Sequence, residues 1–207
     1  MKNVKISVGI MSLLIIAAMS LASCSNTANI VDKANDEADN ATYITEYSME
    51  YIQKSIDELV ASSALIVRAN MVDIMPSEKR NELVVTDHIF EILEVYSGDK
   101  KAGDKITVEM LGGVLNDTKY VANGERGVQS GDEVILILSY PTDENDKIIS
   151  TDYYVYYPPA GIYYKNDKVS MKDGEQFVAN DSSRKLNTST IQAQIDEIYA
   201  VAKASVE

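Results

Sequence analysis

Side chains able to do chemistry are sparse in this chain of 207 residues, which holds one histidine, one cysteine and 32 acids. His88 stands between Asp87 and Ile89 in an apolar segment. A serine–histidine–acid arrangement would need that imidazole beside an exposed nucleophile, and no Gly-x-Ser-x-Gly elbow occurs. His88 therefore reads as a structural or surface residue. One histidine and one thiol supply too few of the ligands that zinc or copper prefers. Gly124-Glu125-Arg126-Gly127 carries an acid and lacks the lysine and hydroxyl of a phosphate-binding loop, so it reads as a turn. Asp143-Glu144-Asn145-Asp146 offers calcium-type oxygens but reads as an exposed acidic hairpin tip. The acids Asp32, Asp36, Glu37 and Asp39 lack the glycine and closing glutamate of an EF-hand and read as solvated charge. Paired carboxylates for hydrolysis are recognised only by their spacing in the fold. Asp87, Asp117 and Glu125 are the acids whose replacement would test such an activity. The expected sets of catalytic, cofactor-binding and metal-ligating residues are therefore empty.

Two features invite binding instead. Tyr153-Tyr154-Val155-Tyr156-Tyr157-Pro158-Pro159, continued by Tyr163 and Tyr164, concentrates aromatic area. Strand alternation puts Tyr153, Val155 and Tyr157 on one face and Tyr154 and Tyr156 on the other. One face must be core, and exposed tyrosines on the other would suit a peptide, protein or glycan partner. Tyr153, Tyr154, Tyr156, Tyr157, Tyr163 and Tyr164 form the candidate ligand surface. The second feature is Leu111 to Asp132, a loop long for a compact domain. It is expected to be functional or to hide structure such as a hairpin around Lys119-Tyr120-Val121.

Lys2 and Lys5 precede an apolar run, Ile6 to Ala22, which ends in Leu21-Ala22-Ser23-Cys24. The run is roughly 17 residues, short of the about 20 that a spanning helix needs. Positive flank, apolar core and small residues are the parts of a secretory signal. The four residues ending in Cys24 resemble the lipobox of bacterial lipoproteins. That resemblance implies cleavage between Ser23 and Cys24, a diacylglycerol on the Cys24 sulfur, and a chain held to the extracytoplasmic face of the cell membrane. Two acyl chains at about 0.8 kcal/mol per buried methylene suffice for stable anchoring.

Cleavage would remove Lys2 and Lys5 and no acid, so the net charge of −13 would become −15. An acidic chain of this kind excludes nucleic acid as a partner, because phosphates require a basic face. With its single thiol acylated, no disulfide could form and the core alone must hold the fold. Three regions follow: a signal at 1–23, a disordered acidic tether at 24–41, and one β-rich globular domain at 42–207.

The elements that would position any site are legible in outline. Ser55-Ile56-Asp57-Glu58 is a capping box, and Ile52, Ile56, Leu59 and Val60 predict a helix that starts before it and ends near Ser62. Tyr43, Tyr47 and Tyr51 share a four-residue spacing that reads as a packing stripe. From Leu65 the period becomes two, which predicts a strand. Pro76 to Asn81 is turn material. Leu83 to Tyr96 predicts a long strand whose phase slips, reconciled by a bulge near Leu93 and Glu94. Lys105 to Met110 alternates cleanly. Glu133 to Leu138 is continuously apolar and predicts a central strand covered on both faces. Ile148 to Tyr157 predicts another strand, and Ile162 to Tyr164 a hairpin with Lys168 to Met171. Ser189-Thr190-Ile191-Gln192 reads as a second capping box, opening a helix with the stripe Ile191, Ile195, Ile198 and Tyr199, expected to pack on the barrel.

The fold class is mainly β (α+β): a small OB-like antiparallel barrel with a preceding helix and a C-terminal amphipathic helix. Ser63 to Ala69, Phe90 to Gly98 and Ser130 to Leu138 resemble the OB-type barrel of netrin-like domains, among them the N-terminal domains of tissue inhibitors of metalloproteinases. The chain is also similar to bacterial lipoprotein domains that share its tyrosine–proline–glycine segment. The netrin-like resemblance spans Ser55 to Leu138 and implies an inhibitor of an extracellular protease. Those inhibitors are disulfide-linked and use a free N-terminal cysteine amine, which a lipidated Cys24 would not supply. The functional expectation is a lipid-anchored binding domain and not an enzyme, with the inhibitor and a carboxylate-dependent hydrolase as alternatives.

Overall fold

The computed structural model describes residues 43–47, 54–122, 127–143, 145–156, 160–166, 174–179 and 184–204. Its elements in chain order are β1 (Tyr43–Tyr47), α1 (Ile56–Ser62), β2 (Leu65–Ile74), β3 (Glu78–Arg80), β4 (Leu83–Ser97), β5 (Lys105–Leu111), β6 (Gly113–Leu115), β7 (Thr118–Ala122), β8 (Glu133–Ser139), β9 (Tyr154–Tyr156), β10 (Ile162–Lys165), β11 (Gln176–Ala179), β12 (Lys185–Asn187) and α2 (Ile191–Ala204). The signal, Ser23, Cys24 and the tether lie outside the described residues.

Five strands close a barrel in the order β2-β4-β5-β9-β8, with β8 returning to β2. All of these pairings are antiparallel except β5 with β9, which run parallel. This order is that of an OB-type barrel, as the sequence predicts. The far edge of β8 is divided. Leu138 and Ser139 pair with β9 and close the barrel, whereas Val134 to Leu136 pair with β10, which continues into β11 and β12.

Two apolar cores follow from the side-chain period of two. Leu65, Val67, Ala69 and Met71 of β2 meet Phe90, Val108 and Leu136 inside the barrel. Ile66, Ile135 and Ile137 point outward and are covered by Leu59 and Val60 of α1 and Ile191 and Ile195 of α2. Strand β8 is thus buried on both faces, which is why Val134 to Leu138 is an unbroken apolar run.

The phase slip of β4 resolves as expected. Arg68 pairs with Glu94 and Ala69 with Ile92, leaving Leu93 unmatched; Ile66 pairs with Ser97 and Val67 with Val95, leaving Tyr96 unmatched. These bulges return Val95 to the barrel core and turn Tyr96 out into the second core.

Several local expectations need correction. Helix α1 begins at Ile56, directly after its cap: Ser55 takes the Glu58 N–H at 3.2 Å while its own N–H donates to Glu58 Oε2 at 2.7 Å. Ile52 and Tyr51 lie outside the described residues. The second capping box does not form, because the Gln192 amide donates to Asp196 Oδ1 at 2.9 Å, one turn ahead, instead of reaching back. Within the expected turn Pro76–Asn81, the residues Glu78 to Arg80 pair with β4, and Asn81 and Glu82 make the turn at positive φ. The strand predicted from Ile148 contracts to Tyr154–Tyr156, with Ile148 making a single bridge to Thr142. Strand β10 pairs with β8 on one edge and β11 on the other, and Lys168 to Met171 lie outside the described residues. Tyr43 and Tyr47 belong to a strand that pairs in parallel with β7, so their spacing is two strand repeats.

Candidate functional site

Strand pairing decides the fate of the tyrosine segment. Val108 aligns with Tyr154 and Leu138 with Tyr156, so the Tyr154 face of β9 looks into the barrel. Tyr154 is 3% exposed and stacks on Tyr140 with ring centroids 5.0 Å apart; Tyr156 packs partly buried against the same core. Burial raises the Tyr154 phenol well above its ordinary range. Tyr163 and Tyr164 are buried in the outer and inner cores respectively. The candidate ligand surface is therefore corrected at Tyr154, Tyr163 and Tyr164, which are buried, while Tyr156 is half-buried: β9 and β10 are barrel and sheet strands, not a free ribbon. Tyr157 lies outside the described residues. Tyr153, directly before β9, is half-buried, with the Arg80 guanidinium carbon 5.4 Å from its ring centroid.

That arginine is fully engaged. Arg80 pairs with Glu78, with Asp87 at 2.7 Å and with Glu109. Hydrogen bonds to Asp87 first, then to Glu109 and Glu78, raise its pKa against the cost of burial. Asp87 and Glu109 are cross-strand partners, so two carboxylates do meet, but the guanidinium lies between them. A second network crosses the sheet: Arg68 holds Glu94, Glu133 and Glu175, and Lys165 holds Glu133 at 2.7 Å and Glu175. Asp117 sits in the β6–β7 turn, and Glu125 lies outside the described residues.

The long loop holds the expected hairpin. Strands β6 and β7 pair through Asn116 and Asp117, both at positive φ, which is the two-residue turn that matches strand twist. The hairpin is tied to one end of the barrel, where β4 begins and β5 ends. There Ser77 Oγ lies 2.8 Å from Thr86 Oγ1, Thr86 donates to the Gly112 carbonyl at 2.7 Å, and the Val114 N–H donates to Ser77 at 2.9 Å. Gly113, at φ +131°, makes room: a Cβ there would lie 2.1 Å from both hydroxyl oxygens. His88 joins this end, buried, with Nδ1–H donating to the Thr86 carbonyl at 3.1 Å. Burial pushes its pKa down to about 4, outweighing the Thr86 bond and the Asp87 charge that favour the cation. A neutral, walled-in imidazole fills space and ties backbone. Asp143 takes the Asn145 and Lys147 N–H groups at 2.9 and 3.0 Å, so its carboxylate is engaged within its own turn. Among the described residues no group of three or more histidine, cysteine, aspartate or glutamate side chains is placed to hold a metal ion.

What sequence reading missed is a groove of about 690 Å³ between α1, α2 and β12. At 1.5 Å per residue, the seven residues of α1 span about 10 Å and the 14 of α2 about 21 Å, so α1 covers only part of its neighbour. Ile56, Ala61, Leu186, Ile198 and Val201 supply apolar walls. Below them a void of about 20 Å³ reaches Val60, Ile66 and Ile137 of the second core. Tyr199 fixes the angle of α2, its hydroxyl lying 3.0 Å from Ser97 Oγ and 3.3 Å from Ser63 Oγ. The signal was present: Val201 extends the stripe of Ile191, Ile195 and Ile198 past what α1 can cover, and it is 66% exposed. The groove can hold an apolar body of small-molecule size, since such sites enclose about 300–1,000 Å³.

Comparison with known proteins gives no match: no family model, no curated protein and no solved structure is significantly similar to the chain.

Proposed function

We propose that this protein is a binding module, lipid-anchored through Cys24 at the extracytoplasmic face of a cell membrane, that takes its ligand in the α1–α2 groove. The groove carries this reading: about 690 Å³, walled by Ile56, Leu186, Ile198 and Val201, on elements that pack onto a closed barrel. Elsewhere the grouped carboxylates are held by Arg80, Arg68 and Lys165, and His88 is enclosed, which favours binding over hydrolysis. The anchor rests on Lys2, Lys5, the apolar run and Leu21-Ala22-Ser23-Cys24. Among the described residues no helix is long and apolar enough to cross a membrane.

The anchor and the groove are tested separately. Intact mass of the native product should correspond to a chain beginning at Cys24 plus acyl groups, and Cys24→Ser should abolish acylation. A chain that keeps its first 23 residues, or carries no lipid, overturns the anchor. For the groove, Ile198→Glu with Val201→Glu should remove binding of a neutral apolar fluorophore while leaving the folded circular-dichroism spectrum intact. Binding unchanged in that variant overturns the assignment.

A further inference from the structure

We infer that the groove takes a single-chain aliphatic carboxylate, its head on Arg184 and its tail along the apolar wall of α2; this rests on the binding role proposed above. The described arginines differ in their carboxylate partners. Arg68 and Arg80 each hold three carboxylates. Arg184, in the same strongly acidic chain, has no carboxylate partner among the described residues. Its Nη2 donates to the Lys54 carbonyl at 3.3 Å, and its Nη1 is buried with no hydrogen-bond partner. An unmet buried donor on a charged group is a standing cost. It is relieved when an anion meets the guanidinium, which offers two parallel N–H groups to a carboxylate after a small rotation on its flexible stem.

The surroundings narrow the class. Arg184 and Lys185 lie on one border of the groove, and Leu186 leads from them to Ile56, Ile198 and Val201. The pattern is one cationic border and an apolar run, which matches a head and a tail. The stretch of α2 from Gln194 to Val201 is about 10 Å long, the length of a medium aliphatic chain. Asp57, Glu58 and Glu197 stand on the rim, exposed. Glu58 is occupied by the Ser55 cap. These three acids oppose a second negative charge, so the fitting ligand is a monoanion. They also pose the sharpest alternative, an amphiphile with a cationic head drawn to the rim instead.

The test uses the full-length chain carrying Cys24→Ser, so that no acyl group of its own competes. Octanoate, 1-octanol and octyltrimethylammonium are titrated calorimetrically below their aggregation concentrations, with amide chemical shifts reporting the site. Octanoate should bind at least about tenfold tighter than octanol, and Arg184→Gln should remove that preference while leaving octanol within about twofold. The shifts should fall on Ile198, Val201 and Leu186. If octanol binds as tightly as octanoate, or octyltrimethylammonium binds tighter, the carboxylate assignment is overturned while the groove stands. If none of the three shifts those residues, the groove reading fails with it. The octanoate-to-octanol ratio is measured without altering Arg184, so it decides even if Arg184→Gln does not fold.

Discussion

Lowering the pH toward 4 should destabilise this protein through one imidazole. His88 is the sole histidine, buried at the hairpin end of the barrel, and its burial lowers the pKa from 6.5 to about 4. The cationic form is thus favoured in the unfolded chain and disfavoured in the folded one. Above pH 6.5 both states are neutral there and the group contributes no pH dependence. Between 6.5 and about 4 the unfolded state takes up a proton that the folded state refuses, so stability falls as the pH falls. Below about 4 both states are protonated and the loss levels off. At about 1.36 kcal/mol per pH unit, that window amounts to about 3 kcal/mol. Urea unfolding of the full chain at pH 7, 5.5 and 4.5 measures it. His88→Gln, whose amide can still donate to the Thr86 carbonyl, removes the titration, so the difference between the two stability curves should open by about 2 kcal/mol from pH 7 to 4.5, most of the full window. Carboxylates held low, such as Glu175 beside Lys165, lose stability in acid too, but equally in both proteins. Because only one histidine exists, its ring signals in a proton spectrum need no assignment. Parallel stability curves, or a folded-state imidazole that titrates near 6.5, would refute the reasoning.

Three further outcomes follow from packing and backbone geometry. Gly113→Ala should cost at least about 2 kcal/mol in urea unfolding, because its Cβ would lie 2.1 Å from Ser77 Oγ and Thr86 Oγ1 at a φ of +131°; near-neutral stability would show that the hairpin end can open. Leu136→Ala, fully buried on the barrel face of β8, should cost about 2–5 kcal/mol and keep the far-ultraviolet spectrum. Asp117→Gly should instead stabilise by about 0.5–1 kcal/mol, since Asp117 holds a φ of +59° in a turn that favours Asn-Gly; a lower thermal midpoint would contradict it.

Features set by short-range alternation were legible in the sequence, and features set by pairing at a distance were not. The unbroken apolar run of β8 implies two covered faces, and it has them. The slipped parity between Ile92 and Val95 implies a bulge, and Leu93 is the unmatched residue. The hairpin inside the 111–132 loop was visible around Tyr120. The tyrosine segment shows the limit. Alternation divides Tyr153 from Tyr154, but which side is core depends on the parallel pairing of β9 with β5, some 45 residues earlier in the chain. The β1 strand was hidden because tyrosines four apart suit a helix turn as well as two strand repeats, and its partner β7 lies far along the sequence. The second capping box failed because Gln192 had a competing carboxylate, Asp196, one turn ahead. The groove was hidden for the same reason as the tyrosines: Ile56 and Val201 meet only through the packing of two distant helices.

The groove's two sides differ in how firmly they are held, and this bears on how it would respond to a ligand. Beneath the groove, Ile66 and Ile137 line the small void and pair across β2 and β8, and the residues beside them, Leu65, Val67, Leu136 and Leu138, are fully buried in the barrel. One wall is α2, long enough for four turns and tied by Tyr199 to both Ser97 and Ser63. The other wall is α1, whose seven residues fall well short of the roughly 12–15 at which an isolated helix is even marginal in water. It persists because the Ser55–Glu58 cap closes one end and Leu59 and Val60 are buried beneath it. A rigid base with one marginal wall makes the width of the groove a property of α1. Occupancy should therefore register first as slower hydrogen exchange in Leu59 to Ser62, ahead of any change in β2 or β8.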